Sequence, residues 1–369
     1  MGTYKIALVP GDGIGTEVLN EGVKVLKALE KEVGGFAFTM DTYDAGAECY
    51  KKTGTAMPEA TFKACKESDA IFWGSAGLPG VVYPDGTEAG VEAGLRMRFG
   101  LDLYANVRPV KLYPNVPQIL AGKKAGDIDY VIIRENVEGL YASRGGGNIT
   151  HDKVAVDSLV ITRWETERIT KFAFELARSR SGAPADGKKR VTSVDKANIL
   201  RTWSFWRRVF NDVAAQNTDI EKDYAYVDAM SCWMVQKPEF YDVCVMENML
   251  GDILTDLGAA TVGGMGMSPS AEIGDNNALF QGSGGTAPTI AGKGIANPTA
   301  TIVSGRMMLE WLAGRFNDAN LKKAADLLEE AVVKTFEQGT ALTSDIGGKA
   351  STSEMGDAVV ANIKKLTAK

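Results

Sequence analysis

Short apolar runs that end in glycine turns and then give way to helical periods recur along this chain. That alternation constrains its fold more than any other feature. The run "YKIALV" at residues 4–9 reads as a buried strand, "PGDGIG" as a turn, and the following period as a helix to about residue 33. "SDAIFWGSAG" repeats the pattern of strand into glycine-rich loop, and residues 128–133 ("IDYVII") and 190–194 ("RVTSV") read as further strands. "ETERITKFAFELARSR" and "WSFWRRVFNDVAAQ" carry helical spacing between them, and "ATIVSGRMMLEWLAGRF" and "NLKKAADLLEEAVVKTFEQG" predict two more helices near the C-terminus. Parallel neighbours need a crossover, usually a helix, so strands alternating with helices predict an α/β architecture on a largely parallel sheet. With 369 residues, 45% of them hydrophobic, the chain is long enough for two domains.

Charge and composition narrow the chemistry. A net charge of −6 without a long basic block argues against nucleic acid or an anionic membrane as partner. The chain enters its first strand directly, and no apolar run approaches the roughly 18 residues of a membrane span, so a cytoplasmic protein is expected. Cys49, Cys65, Cys232 and Cys244 lack zinc-ligand spacing. His151 is the single histidine, which excludes any histidine-rich metal site.

Several segments carry candidate chemistry. In "VMENMLGDILTDLGAA", Asn248, Asp252 and Asp256 fall on one face at helical spacing, while Met249, Leu250, Ile253, Leu254 and Leu257 largely take the other sides. Paired carboxylates suit a hard divalent cation, and they equally suit a solvated acidic face; the segment alone leaves both open. "GDGIG" (Gly11, Gly13, Gly15) fails the G-x-G-x-x-G spacing and is explained as well by a tight turn. The run 281–298, "QGSGGTAPTIAGKGIANP", is a long glycine-rich loop whose backbone N–H groups can approach phosphate. Arg98, Arg108 and Arg134 are candidates for bidentate grip on carboxylates. Lys196 follows an apolar strand as a candidate base, and Tyr141 lies seven residues beyond Arg134.

Taken in order, "VPGDGIGTEV", "LDLYANVRP", "RENVEGLY", "SVDKANIL", "YVDAM", "GDILTDL" and "AGKGIANPTA" resemble the metal-dependent β-decarboxylating dehydrogenases of 2-hydroxy acids over nearly the whole chain. That isocitrate/isopropylmalate dehydrogenase family implies a two-domain α/β fold distinct from the standard Rossmann fold. Residues 1–103 and 263–369 would form a large cofactor-binding domain, and residues 104–262 a small domain with the dimer interface and metal site. The resemblance implies that Arg98, Arg108 and Arg134 bind the carboxylates of a malate moiety. Asp252 and Asp256, with the partner subunit's Asp228, would hold Mg²⁺ or Mn²⁺. The partner subunit's Lys196 would accept the hydroxyl proton, and Tyr141 would reprotonate the enolate carbon. Cofactor contacts are implied at Asn198, Gly285, Thr286, Ala287, Thr289, Ile290 and Asn297, and shared sites of this kind imply a homodimer.

This sequence departs from the family pattern at three places. Gly284 stands where relatives carry a histidine before G-[ST]-A-P, and Thr289 stands where NAD-using relatives carry a ribose-binding aspartate. Thr289-Ile290 also differs from the Lys-Tyr of bacterial NADP-dependent isocitrate dehydrogenases, so NAD is expected, with NADP as the alternative. Gly94 and Leu95 occupy the substrate-reading positions before Arg98 and favour an apolar or bulky group at C3 over a third carboxylate. Arg96 is assigned a mainly structural role. The resulting expectation is a 3-isopropylmalate dehydrogenase-like enzyme acting with NAD. Isocitrate, homoisocitrate or tartrate/D-malate dehydrogenases are the enzymatic alternatives, and a non-catalytic regulatory subunit the remote one.

Overall fold

The structure, a computed structural model, describes residues 2–368. The N-terminal stretch runs β1 (Gly2–Gly11), α1 (Gly15–Val33), β2 (Phe36–Thr42), α2 (Ala47–Thr53), α3 (Glu59–Lys66), β3 (Ala70–Ser75) and α4 (Ala89–Gly100). The central stretch begins with β4 (Ala105–Lys111), β5 (Asp129–Glu135) and the short strands β6 (Asn148–Thr150) and β7 (Val154–Val156). It continues through α5 (Arg163–Ser179), β8 (Arg190–Asp195), α6 (Arg201–Ala214), β9 (Glu221–Tyr226), α7 (Val227–Gln236), β10 (Val243–Met246) and α8 (Asn248–Thr261). β11 (Pro269–Ile273), β12 (Ala278–Gly282), α9 (Thr299–Phe316), α10 (Ala319–Gln338) and α11 (Thr352–Thr367) complete the chain.

Two compact units emerge. The first comprises residues through Leu103, Tyr113–Pro117 and the chain from Gly263 onward; the second comprises Tyr104–Leu112 and Gln118–Val262. In the first unit the strand order is β2-β1-β3-β12-β11, parallel except for the antiparallel β11–β12 pair. Every residue of β3 is buried, as expected of a parallel strand covered on both faces. One face carries a core of Val9, Met57, Ile71, Trp73, Ala93, Met97 and Leu103 beneath α2, α3 and α4. α1 buries Val18, Leu19, Val25, Leu26 and Leu29 at amphipathic spacing, each such side chain stabilising by about 1.5–3 kcal/mol.

The "GDGIG" turn is a tight turn with a second function. Gly13 has φ +58, and a Cβ there would lie 2.1 Å from the carbonyl oxygen of Thr286. The Ile14 N–H donates to that same oxygen at 2.9 Å, so glycine lets the start of α1 dock on the glycine-rich loop. Asp12, almost fully buried, fixes the turn by accepting from the N–H groups of Ala47, Glu48 and Gly77 at 2.7–2.8 Å.

The second unit has the order β4-β5-β10-β8-β9, with β4–β5 antiparallel and the rest parallel. α5 and α6 pack on β5, β8 and β10, burying Ile169, Phe174, Val209 and Phe210. Trp206 is buried with them and donates its indole N–H to Ser193 Oγ at 3.1 Å. β6 and β7 form a separate two-stranded hairpin with all six residues exposed, and His151 sits in its turn at φ +52. Among the described residues, no helix is long and apolar enough to cross a membrane.

Candidate functional site

The second unit gathers charged side chains where β4, β5 and α8 meet. Asn106 and Arg108 are two residues apart on β4, and Asn106 pairs in register with Arg134 on β5, so these three share a sheet face. α8 lies against β5 and supplies Asn248, Asp252, Thr255 and Asp256 from successive turns. Arg134 is 1% exposed. Its Nε and Nη2 donate to Asn248 Oδ1 at 3.0 and 2.8 Å, and its Nη1 pairs with Asp252 Oδ1. The other Asp252 oxygen accepts the Tyr141 hydroxyl at 2.9 Å, and the Tyr141 ring lies 5.5 Å from the Arg134 guanidinium carbon. Arg108, also buried, donates to Asn106 Oδ1 at 2.8 Å and Thr255 Oγ1 at 2.7 Å, and reaches Asp256 Oδ1 at 3.5 Å.

Electrostatics follow from that packing. Burial pushes the Asp256 carboxyl up from its ordinary value; Arg108 opposes the shift, and the charge of Asp252 adds to it. Burial, then the hydrogen bond to Asp252 and its charge, push the Tyr141 phenol up and keep its O–H intact at neutral pH. Just behind the site, Glu135 is buried and its carboxyl is pushed up to about 8 by desolvation.

α8 is less enclosed than its apolar residues predict. Leu250 and Leu254 are buried, whereas Ile253 is 61% exposed. The helix spends its buried face on Asn248, Gly251, Thr255 and Gly258 as well, leaving Ile253 on the open side with the carboxylates. Asp252 and Asp256 retain side-chain exposures of 40% and 59%. As hard oxygen donors they fit Mg²⁺ or Mn²⁺ in kind, but two carboxylates fall short of the roughly six oxygens such an ion takes. Among the described residues of one chain, no three His, Cys, Asp or Glu side chains converge to hold a metal, so Asp228 does not join the pair in cis. Asp228 instead pairs with Lys196, and that hydrogen bond holds its carboxyl below the ordinary value.

Arg98 has a different setting, in the first unit. Its Nε donates to both oxygens of Glu272 at 3.0 and 3.1 Å, and its Nη2 to Oε1 at 2.7 Å. Glu272 is 1% exposed and also accepts from Gln281 Nε2 at 3.3 Å. Arg96 donates to the Met57 carbonyl at 2.9 Å, pairs with Glu59 and covers the Phe62 ring, all structural contacts. A Cβ on Gly94 would meet nothing within 4 Å, so α4 is open there, and Leu95 beside it is partly exposed.

The first unit also forms a half-open cleft of about 690 Å³. Four of the expected cofactor residues, Gly285, Ala287, Ile290 and Asn297, line it together with Ile14, Ser75 and Asp345. Thr286 is buried in the loop wall, its carbonyl held by Ile14. Thr289 is exposed and does not line the cleft, and Asn198 belongs to the second unit, on the exposed turn before α6. Asp345 is the one charged side chain among the lining residues, its carboxylate accepting from Asn297 Nδ2 at 3.0 Å and Thr343 Oγ1 at 2.6 Å. Sequence reasoning passed over Asp345, Thr255, Asn106 and Glu272. Thr255 alone carried a signal, being three residues beyond Asp252 on the same helix.

Comparison with known proteins places this geometry in context. Residues 5–359 match the sequence model of isocitrate/isopropylmalate dehydrogenases. The chain is 40% identical over 363 residues to a 3-isopropylmalate/3-methylmalate dehydrogenase of Methanocaldococcus jannaschii, covering 98% of this chain and 99% of that one. It is 39% identical over 356 residues to a 3-isopropylmalate dehydrogenase of Methanothermobacter thermautotrophicus, with 96% and 97% coverage. The crystal structure of an isocitrate dehydrogenase from Methylococcus capsulatus superposes with a TM-score of 0.84 at 37% identity, covering 98% of this chain and 99% of that one.

Proposed function

The chain belongs to the isocitrate/isopropylmalate dehydrogenase family, and from that premise we propose that it oxidatively decarboxylates an alkyl-substituted (R)-malate of the 3-isopropylmalate type. The products would be a 2-oxo acid, CO₂ and NADH. The observation that carries the reading is the cluster of Arg108, Arg134, Tyr141, Asp252 and Asp256 on one unit. It offers two buried cations for a dicarboxylate, a protonated phenol, and two partly exposed carboxylates. When bound, a divalent cation at Asp252 and Asp256 would polarise the hydroxyl and carboxylate oxygens, and NAD would supply the hydride acceptor.

The chain's own groups then divide the work. Arg108 and Arg134 orient the malate carboxylates by charge-assisted hydrogen bonds. The partner subunit's Lys196 takes the C2 hydroxyl proton as the C2–H electron pair departs as hydride. The bond from C3 to its carboxylate breaks next, releasing CO₂ and leaving its electron pair in an enolate. Tyr141, whose O–H burial and Asp252 keep protonated, delivers its proton to C3.

Three further observations support the finer points. Both arginines of α4 are engaged by Glu59 and Glu272, while Gly94 leaves open space, which favours an uncharged C3 substituent over the third carboxylate of isocitrate. The large cleft contains no cationic lining residue to receive a 2′-phosphate and contains Asp345, which favours NAD over NADP. Asp228, paired with Lys196, does not cluster with Asp252 and Asp256 among the described residues of one chain, and Ile253, Val235 and the β6–β7 hairpin expose apolar side chains; a homodimer that shares its sites accounts for both. A panel of 3-isopropylmalate, 3-methylmalate, isocitrate, homoisocitrate, tartrate and D-malate, with NAD or NADP and Mg²⁺ or Mn²⁺, tests the reading. Highest kcat/KM with an alkylmalate and NAD is expected. Preference for isocitrate would overturn the substrate assignment, and no turnover at all would overturn the enzyme.

A further inference from the structure

We propose that Glu247 is a positioning residue for Tyr141, an inference that rests on the reading of Tyr141 as the proton donor to C3. Glu247 precedes α8 as its N-cap, and one oxygen accepts the Leu250 N–H at 3.4 Å. Capping alone does not account for it. A cap needs one acceptor oxygen and is served best by short side chains at a surface. Glu247 is 1% exposed and its Oε1 is buried, and beyond the Leu250 N–H the carboxylate is also stabilised by the backbone N–H groups of Met249 and of Leu140, the residue just before Tyr141. Burying a whole carboxylate costs more than a cap returns.

That oxygen lies against the backbone just before Tyr141. A Cβ on Gly139 would lie 2.1 Å from Glu247 Oε1 and 3.1 Å from Asn248 Cβ, so this turn sits directly on the first turn of α8. Asn248 Nδ2 fastens the same stretch by donating to the Glu138 carbonyl at 3.0 Å. Two residues after Gly139, the Tyr141 hydroxyl reaches Asp252, one turn farther along the same helix. Glu247 and Asn248 thereby make α8 the common reference for the phenol and for the carboxylates. A turn freed from Glu247 carries Tyr141 away from C3 while leaving Arg108, Arg134 and Asp256 in place.

The test is turnover of 3-isopropylmalate by the full-length protein with NAD and Mn²⁺ in D₂O, reading kcat, KM and the configuration of the deuterium delivered to C3. Glu247→Ala should lower kcat by about 10- to 100-fold with KM nearly unchanged, and should scramble the C3 configuration. Glu247→Gln, which keeps the volume and one acceptor oxygen, should recover most of the rate and a single configuration. Gly139→Ala, which pushes the turn off α8 with Glu247 intact, should reproduce the Glu247→Ala result and serves if that variant does not fold. Tyr141→Phe separates the two layers of the argument. If Tyr141→Phe scrambles configuration while Glu247→Ala and Gly139→Ala behave as wild type, the role of Glu247 is overturned. If Tyr141→Phe itself keeps rate and configuration, the assignment of the phenol as donor falls first.

Discussion

Removing Arg98 should destabilise the protein far more than removing the charge of its partner, because the two ends of the pair are unequally buried. The Glu272 side chain is 2% exposed and Arg98 16%. In Arg98→Ala, a carboxylate on the inner strand β11 loses three short hydrogen bonds and keeps the 3.3 Å contact with Gln281. Stranding a buried charge in this way costs about 3–5 kcal/mol. In Glu272→Gln, the guanidinium keeps a neutral acceptor and can draw on water through its more exposed end, so about 1–2 kcal/mol is expected. Urea unfolding followed by tryptophan fluorescence and circular dichroism measures both. With a slope of about 3 kcal/mol per molar, Arg98→Ala should lower the midpoint by about 1–1.7 M and Glu272→Gln by less than about 0.7 M. The double variant Arg98→Gln/Glu272→Gln should recover more than half of the Arg98→Ala loss, since no charge is left buried. Equal costs for the two single variants, or no recovery in the double, would refute the reasoning from burial.

Other outcomes follow from the same geometry. Glu135 has its folded pKa raised from 4.5 to about 8 by burial, so its contribution to stability is fully present below about 4.5 and is lost as pH rises through 8. Glu135→Gln should therefore lose less stability than wild type between pH 6 and 8.5, where one such group accounts for up to about 1.4 kcal/mol per pH unit; parallel stability curves would count against it. Asp252→Asn and Lys196→Ala should each lower metal-dependent kcat by at least about 100-fold with circular dichroism unchanged. If sites are shared across a dimer, unfolding and refolding the two variants together should restore about a quarter of wild-type activity, from the heterodimers' single intact site; no restoration would remove the sharing. Gly94→Leu should fold normally, being helical and facing open space, while shifting preference from 3-isopropylmalate toward 3-methylmalate by about 10- to 100-fold in kcat/KM.

Much of the fold is legible in the sequence because its signals are local. The buried runs at "YKIALV", "AIFWGS" and "IDYVII" become β1, β3 and β5, and the helical periods become α1, α5, α6, α9 and α10. Their side chains are apolar at periods of two or 3.6, and burying those faces is what stabilises the elements. The exposed hairpin β6–β7 has no such signature, since none of its residues is buried. The family motifs likewise mark Asp252, Asp256, Tyr141, Arg108 and Arg134, and the structure gathers all five on one unit.

Sequence by itself determined the element types, the α/β class, the family and the spacing that puts Asn248, Asp252 and Asp256 on one helical face. Each of these depends on neighbours within a few residues or on the order of motifs. Tertiary structure alone decided which charges pair with which. It tied Arg98 to Glu272, 174 positions away, and Arg134 to Asp252, 118 positions away. It also left Thr289 outside the cleft that Asp345 enters and set Glu247 against the turn before Tyr141. The reason is physical. A charged side chain carries no period that reveals its partner, and its role depends on burial and on which opposite charge lies within a few ångströms, quantities that exist only once the chain is folded.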